Sequence, residues 1–326
     1  MNGLKSFTRR ALVLALLLGT ALTSQAQDWP TRPVRILVAG PAGGTADVLA
    51  RVVAEGLTRS LGKPVIVENK AGAAGAIAVS DLINSPHDGY TLLLIQGGIV
   101  TEAPLAYKVA FDPFKDLKPL VQLSRQGLVL VGNNKLPAKD LKELIAYIKT
   151  QKGGVDYASY ATGLRAHTTG VQFSRLAGVE MNHVGYKGSP PALQDVVGGH
   201  VPLMIDGPAT SLPLIKSGKI KAYAVKYPTR IAALPDVPTF AELGFPTITE
   251  AGWMGLWSTP DLSPSIQAKV RDLTLRHLTQ ASVRQRLVDM GMEPGLPLTS
   301  EELTKDLHEA YDRQAELLRS IDYKPE

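Results

Sequence analysis

The chain alternates short, almost wholly apolar runs with segments of helix length, and this alternation restricts its fold more than any other feature. From residue 34 it reads VRILVA, a helical segment near 46–60, PVIVE, a second helical segment near 75–84, and YTLLLIQ. A strand that is apolar at successive positions rather than at every second one is buried on both faces, which implies a parallel sheet covered by helices. The grammar then restarts with LVLVG, a helix near 138–150 after Pro137, VDYAS, a helix near 165–177 and MNHVGY. A helix near 190–197 and the strands VPLMID and IKAYAV follow, so the spacing predicts two α/β lobes of about 100 residues or more each.

The remainder reads as helical. Ile266, Val270 and Leu273 fall on one helical face, as do Val283, Leu287 and Met290 before Gly291 closes that segment. Thr299 with Glu302 three residues on forms a capping box, and Leu303, Leu307 and Ala310 continue one face of the last helix. The proline-rich stretch from Pro228 to Pro246 holds too many apolar residues for disorder and is expected to be a structured loop.

The formal charge of +5 has a local origin. Lys5, Arg9 and Arg10 precede an apolar run from Ala11 to Leu18, small residues follow at Ser24-Gln25-Ala26, and no acid precedes Asp28. That order predicts a secretory signal over residues 1–26, cleaved after Ala26, and the run is too short to span a membrane. The Arg9-Arg10 pair sits in flanks that match a twin-arginine signal poorly, which favours the general secretory route; either route ends outside the cytoplasm. With those three cations removed and no anion lost, the rest of the chain stands near +2, and nucleic-acid binding loses its main support.

The chain has no cysteine, which removes disulfides, thiolate metal sites and cysteine nucleophiles. GxSxG, HExxH, GxGxxG after the first strand and GxxxxGK[ST] are all missing, and the six histidines show no paired metal-ligand spacing. No metal and no cofactor is expected.

What the sequence offers instead is small residues at strand ends. GPAGGTAD follows the first strand, with Thr45 as the expected N-cap of the next helix and Asp47 in its first turn. Unpaired amides at such a turn form a cradle for a carboxylate; the same residues also serve a plain tight connection. Asp47 suits the helix dipole without any ligand, or holds a water or a ligand amine. AGAAGAI and the QGG of residues 96–98 add two more turns on the same carboxyl edge, where open α/β sheets bind their ligands. In the second half YASYATGLRAH places Ser159, Thr162, Arg165 and His167 at a comparable turn. Arg165 either pairs a ligand carboxylate or stays a solvated first-turn cation, and His167 reads best as a packed histidine.

PAGGTAD, VENKAGAAGAI, DGYTLLL, HVGYKGSPPALQDVVGGHVPLMID and RIAALPDVPTFAELGF, in this order, resemble the substrate-binding proteins of tripartite tricarboxylate transporters, the Bug family. The resemblance covers essentially all of the chain after residue 26. It implies an α/β, two-lobed periplasmic binding protein of the Venus-flytrap type, each lobe a mostly parallel sheet covered by helices. Residues 27–124 and 226–326 would form lobe 1 and residues 125–225 lobe 2, with crossing strands near 124 and 226 as the hinge. It implies a small organic acid as ligand, membrane permease subunits as partners, and no catalysis.

Carried onto matching positions, the resemblance implies a first-lobe cradle of Ala42, Gly43, Gly44, Thr45 and Asp47, with Gly75 and Ala76 from the second turn and Gln96 and Gly97 from the third. The second lobe would add Ser159, Gly163, Arg165, His167, Lys187, Gly188, Ser189 and Asp206. Lys187 equally suits lobe-to-lobe contact, and Asp206 a hinge hydrogen bond. This chain departs from the family pattern with Gly40 in place of an aromatic residue, Ala76 in place of Asn or Thr, and Leu164 and Arg165 in place of small or hydroxyl residues. The expectation is a ligand bulkier than aspartate, aromatic or carrying a second carboxylate at Arg165.

The competing classes are a sensory component that presents the same closed lobes to a membrane receptor, and an extracytoplasmic enzyme using Asp47, His167 and Asp206. A monomer is expected, because no exposed apolar stripe demands a partner.

Overall fold

The computed structural model describes residues 29–320 and Tyr323; the expected signal segment, residues 1–26, lies outside the described residues. The chain opens with β1 (Val34–Val38), α1 (Thr45–Leu61), β2 (Val65–Asn69), a 3-10 turn (Ala73–Gly75), α2 (Ala76–Ile83) and β3 (Thr91–Gln96). Two four-residue helices, α3 (Gly98–Thr101) and α4 (Ala103–Ala106), lead to β4 (Lys118–Gln126). A second unit follows as β5 (Leu128–Asn133), α5 (Leu141–Thr150), β6 (Val155–Ser159), α6 (Arg165–Ala177), β7 (Met181–Gly185), α7 (Ser189–Gly198), β8 (Leu203–Asp206), α8 (Pro208–Lys216) and β9 (Ile220–Lys226). A long loop returns the chain to β10 (Gly252–Ser258), α9 (Pro264–Leu278), α10 (Ala281–Asp289), β11 (Glu293–Pro294) and α11 (Ser300–Ser320).

These elements build two mixed sheets with covering helices, a two-lobed α/β fold. The first sheet has the order β11-β4-β10-β3-β1-β2, with β1 parallel to β2 and β3, and β10 antiparallel to β3 and β4. The second has the order β7-β6-β8-β5-β9, with β6 parallel to β7 and β8, and β5 antiparallel to β8 and β9. The continuous apolar runs are central strands: Thr91 to Ile95 of β3 are all buried between helical layers, whereas β2, at the sheet edge, is only partly covered.

The two sheets join where β4 gives way to β5. Only Gly127 separates these strands, and a Cβ there would lie 2.5 Å from the carbonyl oxygen of Lys226, at the end of β9. Glycine is what lets the outgoing and returning chains pass in contact.

The returning loop differs from its expected place. The resemblance implies that it belongs with residues 226–326 to the first lobe, yet Ile231, Leu234, Phe240 and Ile248 are buried in the two cores flanking the second sheet. Backbone bonds from Val225 to Pro238 (2.9 Å) and from Phe240 to Val225 (3.0 Å) fold the loop back along β9, and Phe173 of α6 meets Phe240 at a tilt and Phe245 edge-on. The proline-rich segment is thus a packed loop of the second lobe. Two helix starts also shift. The helix expected from residue 138 begins at Leu141, because Asp140 is its N-cap and accepts the Glu143 amide at 2.8 Å. The N-cap of α1 is Gly44 rather than Thr45.

The last helix spans both lobes. Its start is held by the capping box, with Thr299 and Glu302 exchanging side-chain-to-amide bonds of 2.7 and 3.2 Å. Leu303 and Leu307 enter the first core, and further along Arg313 bonds Glu250 (3.1 Å) and Gln314 bonds Thr168 of α6 (3.5 Å). Among the described residues no helix is long and apolar enough to cross a membrane.

Candidate functional site

The turns after β1, β2 and β3 stand at one edge of the first sheet, as three parallel strands require. In the first, Gly43 takes a left-handed φ of 74° and Gly44 is extended, so the chain turns sharply into α1 with no side chain capping it. Asp47 takes over that work from the third helical position. Its carboxylate accepts the Gly43 amide at 2.9 Å and a two-pronged bond from Arg51 at 2.9 and 3.1 Å. Burial pushes the Asp47 carboxyl up, but the bonds from Arg51 and Gly43 outweigh it and leave the group below its ordinary value. Asp47 therefore braces the turn, and its oxygens are committed. The amides of Thr45 and Ala46, in the first turn of α1, have no partner among the described residues.

The second turn carries four successive residues with positive φ: Gly72, Ala73, Ala74 and Gly75. For the two alanines this conformation costs about 1–2 kcal/mol each. Such strain concentrates where backbone must face a ligand. The Ala73 and Ala74 amides have no partner among the described residues. In the third turn the Gly97 amide bonds the Trp253 carbonyl of β10 at 2.9 Å, and the Gln96 carboxamide forms no hydrogen bond within the described residues.

The second-lobe turn is built differently, from groups that satisfy one another. Ser159 bonds His183 at 2.7 Å, the Gly163 amide donates to His167 Nδ1 at 3.0 Å, and the two imidazoles stack with centroids 3.7 Å apart. Burial lowers His167 to about 4. Burial, with His167 beside it, lowers His183 to about 3. Both rings are neutral at pH 7. Asp206, fully buried, accepts hydroxyl bonds from Ser189 (2.5 Å), Thr210 (2.6 Å) and Ser211 (2.6 Å). Burial raises its carboxyl and these bonds oppose the rise.

Between the lobes lies a cavity of about 790 Å³. Of the residues expected to meet a ligand, Gly44, Thr45, Gly75, Ala76, Gln96, Gly97, Arg165, Lys187, Gly188 and Ser189 line it, together with Gly40 and Leu164. Ala42, Gly43, Asp47, Ser159, Gly163, His167 and Asp206 are not in its lining. Asp47, Ser159, Gly163, His167 and Asp206 are buried and brace the turns that do face it, whereas Ala42 and Gly43 are exposed on the first loop. Gly163 and Gly188 also mark where the lobes touch, since a Cβ would fall 2.3 Å from Ala106 Cβ in the first case and 2.4 Å from Pro41 in the second.

Arg165, expected to be available for a second ligand carboxylate, is already paired. Its backbone amide donates to Glu102 Oε2 at 2.6 Å and its Nε lies 3.3 Å from Oε1, so the pair bridges the lobes. Sequence reasoning misses Glu102, and also Glu250, Gln126, Lys108 and Lys226. Burial raises the Glu102 carboxyl, against the pull of Arg165 and Lys226. Lys226, buried and bonded to Thr169 at 3.1 Å, is lowered to about 8 by burial and by Arg165. Gln126 lines the cavity with a buried Oε1 that has no partner in the described chain. One sequence signal could have found Glu102: it is the lone acid in the small apolar stretch GGIVTEAPLA.

The lining carries five cations, Lys108, Arg125, Arg165, Lys187 and Arg313, against Glu102, Glu250 and Asp306. Lys108 and Lys187 form no ion pair among the described residues. Unpartnered amides and surplus positive charge make this a cleft for a small anion.

Known proteins resemble this chain in sequence and in fold. BugT of Bordetella pertussis is 37% identical over 293 residues, 87% of each chain. Rpa4515 of R. palustris, solved with adipate, superposes with a TM-score of 0.89 at 30% identity, over 92% of this chain and 100% of that one. MatC (Rpa3494) from Rhodopseudomonas palustris, solved with bound malate, gives a TM-score of 0.83 at 30% identity, over 89% of this chain and 100% of that one. The family described as the tripartite tricarboxylate transporter family receptor matches residues 49–323, and the chain belongs to it.

Proposed function

We propose that the protein is a periplasmic solute-binding protein that captures an organic carboxylate between its lobes and delivers it, unchanged, to a tripartite tricarboxylate-type permease. It acts as a monomer. The observation that carries the reading is the set of unpartnered amides at Thr45, Ala46, Ala73 and Ala74, on two adjacent turns whose residues line the interlobe cavity. Backbone donors held by a folded turn are already oriented, so a carboxylate binds them with little ordering cost. Lys108 and Lys187 add attraction at longer range. The basic head and apolar run at residues 5–18 support export, and the relatives solved with adipate and malate support an organic acid as the cargo. Closure needs only rotation about the Gly127 and Lys226 crossing, driven by contacts the ligand makes to both lobes.

The test is the melting temperature of residues 27–326 against aliphatic, aromatic and hydroxylated acids, each beside its primary amide. A ligand at 100 times its dissociation constant stabilises by about 2.7 kcal/mol, a readily detected shift. A shift with one structural class of acids and none with the amides is expected. Equal shifts for acids and amides, or no shift with any acid, would contradict the reading.

A further inference from the structure

We infer that Glu102 is a specificity-determining residue: its carboxylate holds the place that a second ligand carboxylate would take, so the cleft selects acids with one carboxylate and an uncharged far end. The inference rests on the cleft being a carboxylate site. Two groups of the second lobe suit an incoming anion, the first amide of the thirteen-residue helix α6 and the Arg165 guanidinium. One Glu102 oxygen lies on each, at 2.6 Å and 3.3 Å, and the residue is only 5% exposed although it reaches across from the first lobe. A cation at a helix N-terminus is unfavourable alone, and the Glu102 charge offsets it.

Close to Arg165 the opposite charges largely cancel, and Lys108 and Lys187 of the lining, which form no ion pair among the described residues, are not part of this cluster. Arg165 and Lys226 face Glu102 and Glu250, and Glu250 is in addition bonded by Arg313 at 3.1 Å. On its other side the guanidinium packs against β10, where a Cβ on Gly252 would sit 1.7 Å from Nη1. Leu164 and Ile99 supply apolar wall beside this cluster. A dicarboxylate whose second charge reaches the start of α6 and Arg165 therefore has to displace Glu102 from its bonds, and a ligand with a neutral body there does not.

Titration calorimetry with hexanoate against adipate, and benzoate against terephthalate, reads the preference directly. In the wild-type protein the monocarboxylate of each pair binds more tightly. In Glu102→Gln, which keeps the shape and removes the charge, the ratio moves by about tenfold toward the dicarboxylate. A purely structural role for Glu102 would weaken both acids of a pair alike and leave the ratio where it was. An unmoved ratio, or a wild-type preference for the dicarboxylate, overturns the inference while leaving the carboxylate site intact. The wild-type ratio decides by itself if the variant fails to fold. No binding of any carboxylate to either protein would overturn the site reading and this inference with it.

Discussion

The two lobes bring turns of similar sequence character to the cleft, and the turns differ in what they have already bound. In the first lobe the glycine-rich loops leave the amides of Thr45, Ala46, Ala73 and Ala74 without partners, and the one acid nearby, Asp47, is drawn back into its own helix by Arg51. In the second lobe most of the side chains and turn groups expected to meet a ligand are engaged: Ser159 with His183, Gly163 with His167, Ser189 Oγ with Asp206, and Arg165 with Glu102 from the opposite lobe, while Lys187 forms no ion pair among the described residues. The first lobe offers open backbone donors, and the second faces it with groups that are mostly committed already. The difference teaches that Arg and Ser at a cleft turn do not by themselves mark ligand contacts; what matters is whether the fold has left them a free hydrogen bond.

The largest effect that should separate the lobes is acid. His167 and His183 are neutral in the folded chain, with values of about 4 and about 3 against an ordinary 6.5. The unfolded chain thus binds more protons below pH 6.5, and stability falls as pH drops from there toward the folded values. For the buried His167 the loss is about 1.4 kcal/mol per pH unit, and less for the more open His183. Denaturant titrations between pH 7 and pH 4.5 should show this decline, and hydrogen exchange should place it in α6 and β7. A flat profile, or a loss centred on α1, would break the comparison.

Gly163→Ala should act next. The left-handed φ of 72° costs an alanine about 1–2 kcal/mol of stability, while the contact with Ala106 arises only when the lobes meet. Ligand affinity should therefore fall by more than stability accounts for, by about tenfold or more, with the first-lobe cradle unaltered. Affinity falling only in step with stability would show that Gly163 does not govern closure.

The smallest effect is at Asp47. Asp47→Ala frees the Gly43 amide and Arg51, and should cost about 1 kcal/mol of stability, as loss of a cap does. Binding should weaken only slightly, because the carboxylate is not in the cavity lining. A loss of affinity far beyond that would return Asp47 to the ligand.

Much of this was legible in the chain because it is local. VDYAS and the helix over 165–177 stand where their patterning put them, as do the three turns at the edge of the first sheet. The capping box at Thr299 is likewise a relation between residues three apart. What escaped is set by partners far along the chain. GWMGLWS reads as no strand, with its glycines and crowded tryptophans, yet it becomes β10 because β3 and β4 offer edges on both sides. Arg165 looked free because Glu102 is remote in sequence, and the loop from residue 228 looked like part of the first lobe because its hydrophobic residues carry no address. Local periodicity encodes elements, but not which charge meets which.

The most direct test of the account is backbone amide chemical shifts of the isotope-labelled protein titrated with hexanoate or benzoate. The account predicts that the amides of Thr45, Ala46, Ala73 and Ala74 move progressively with added acid while the Arg165 amide, already bonded to Glu102, changes least among the cleft residues. Shifts centred on Arg165 with Thr45 and Ala46 unmoved would contradict it, and would make the second lobe the anion receptor.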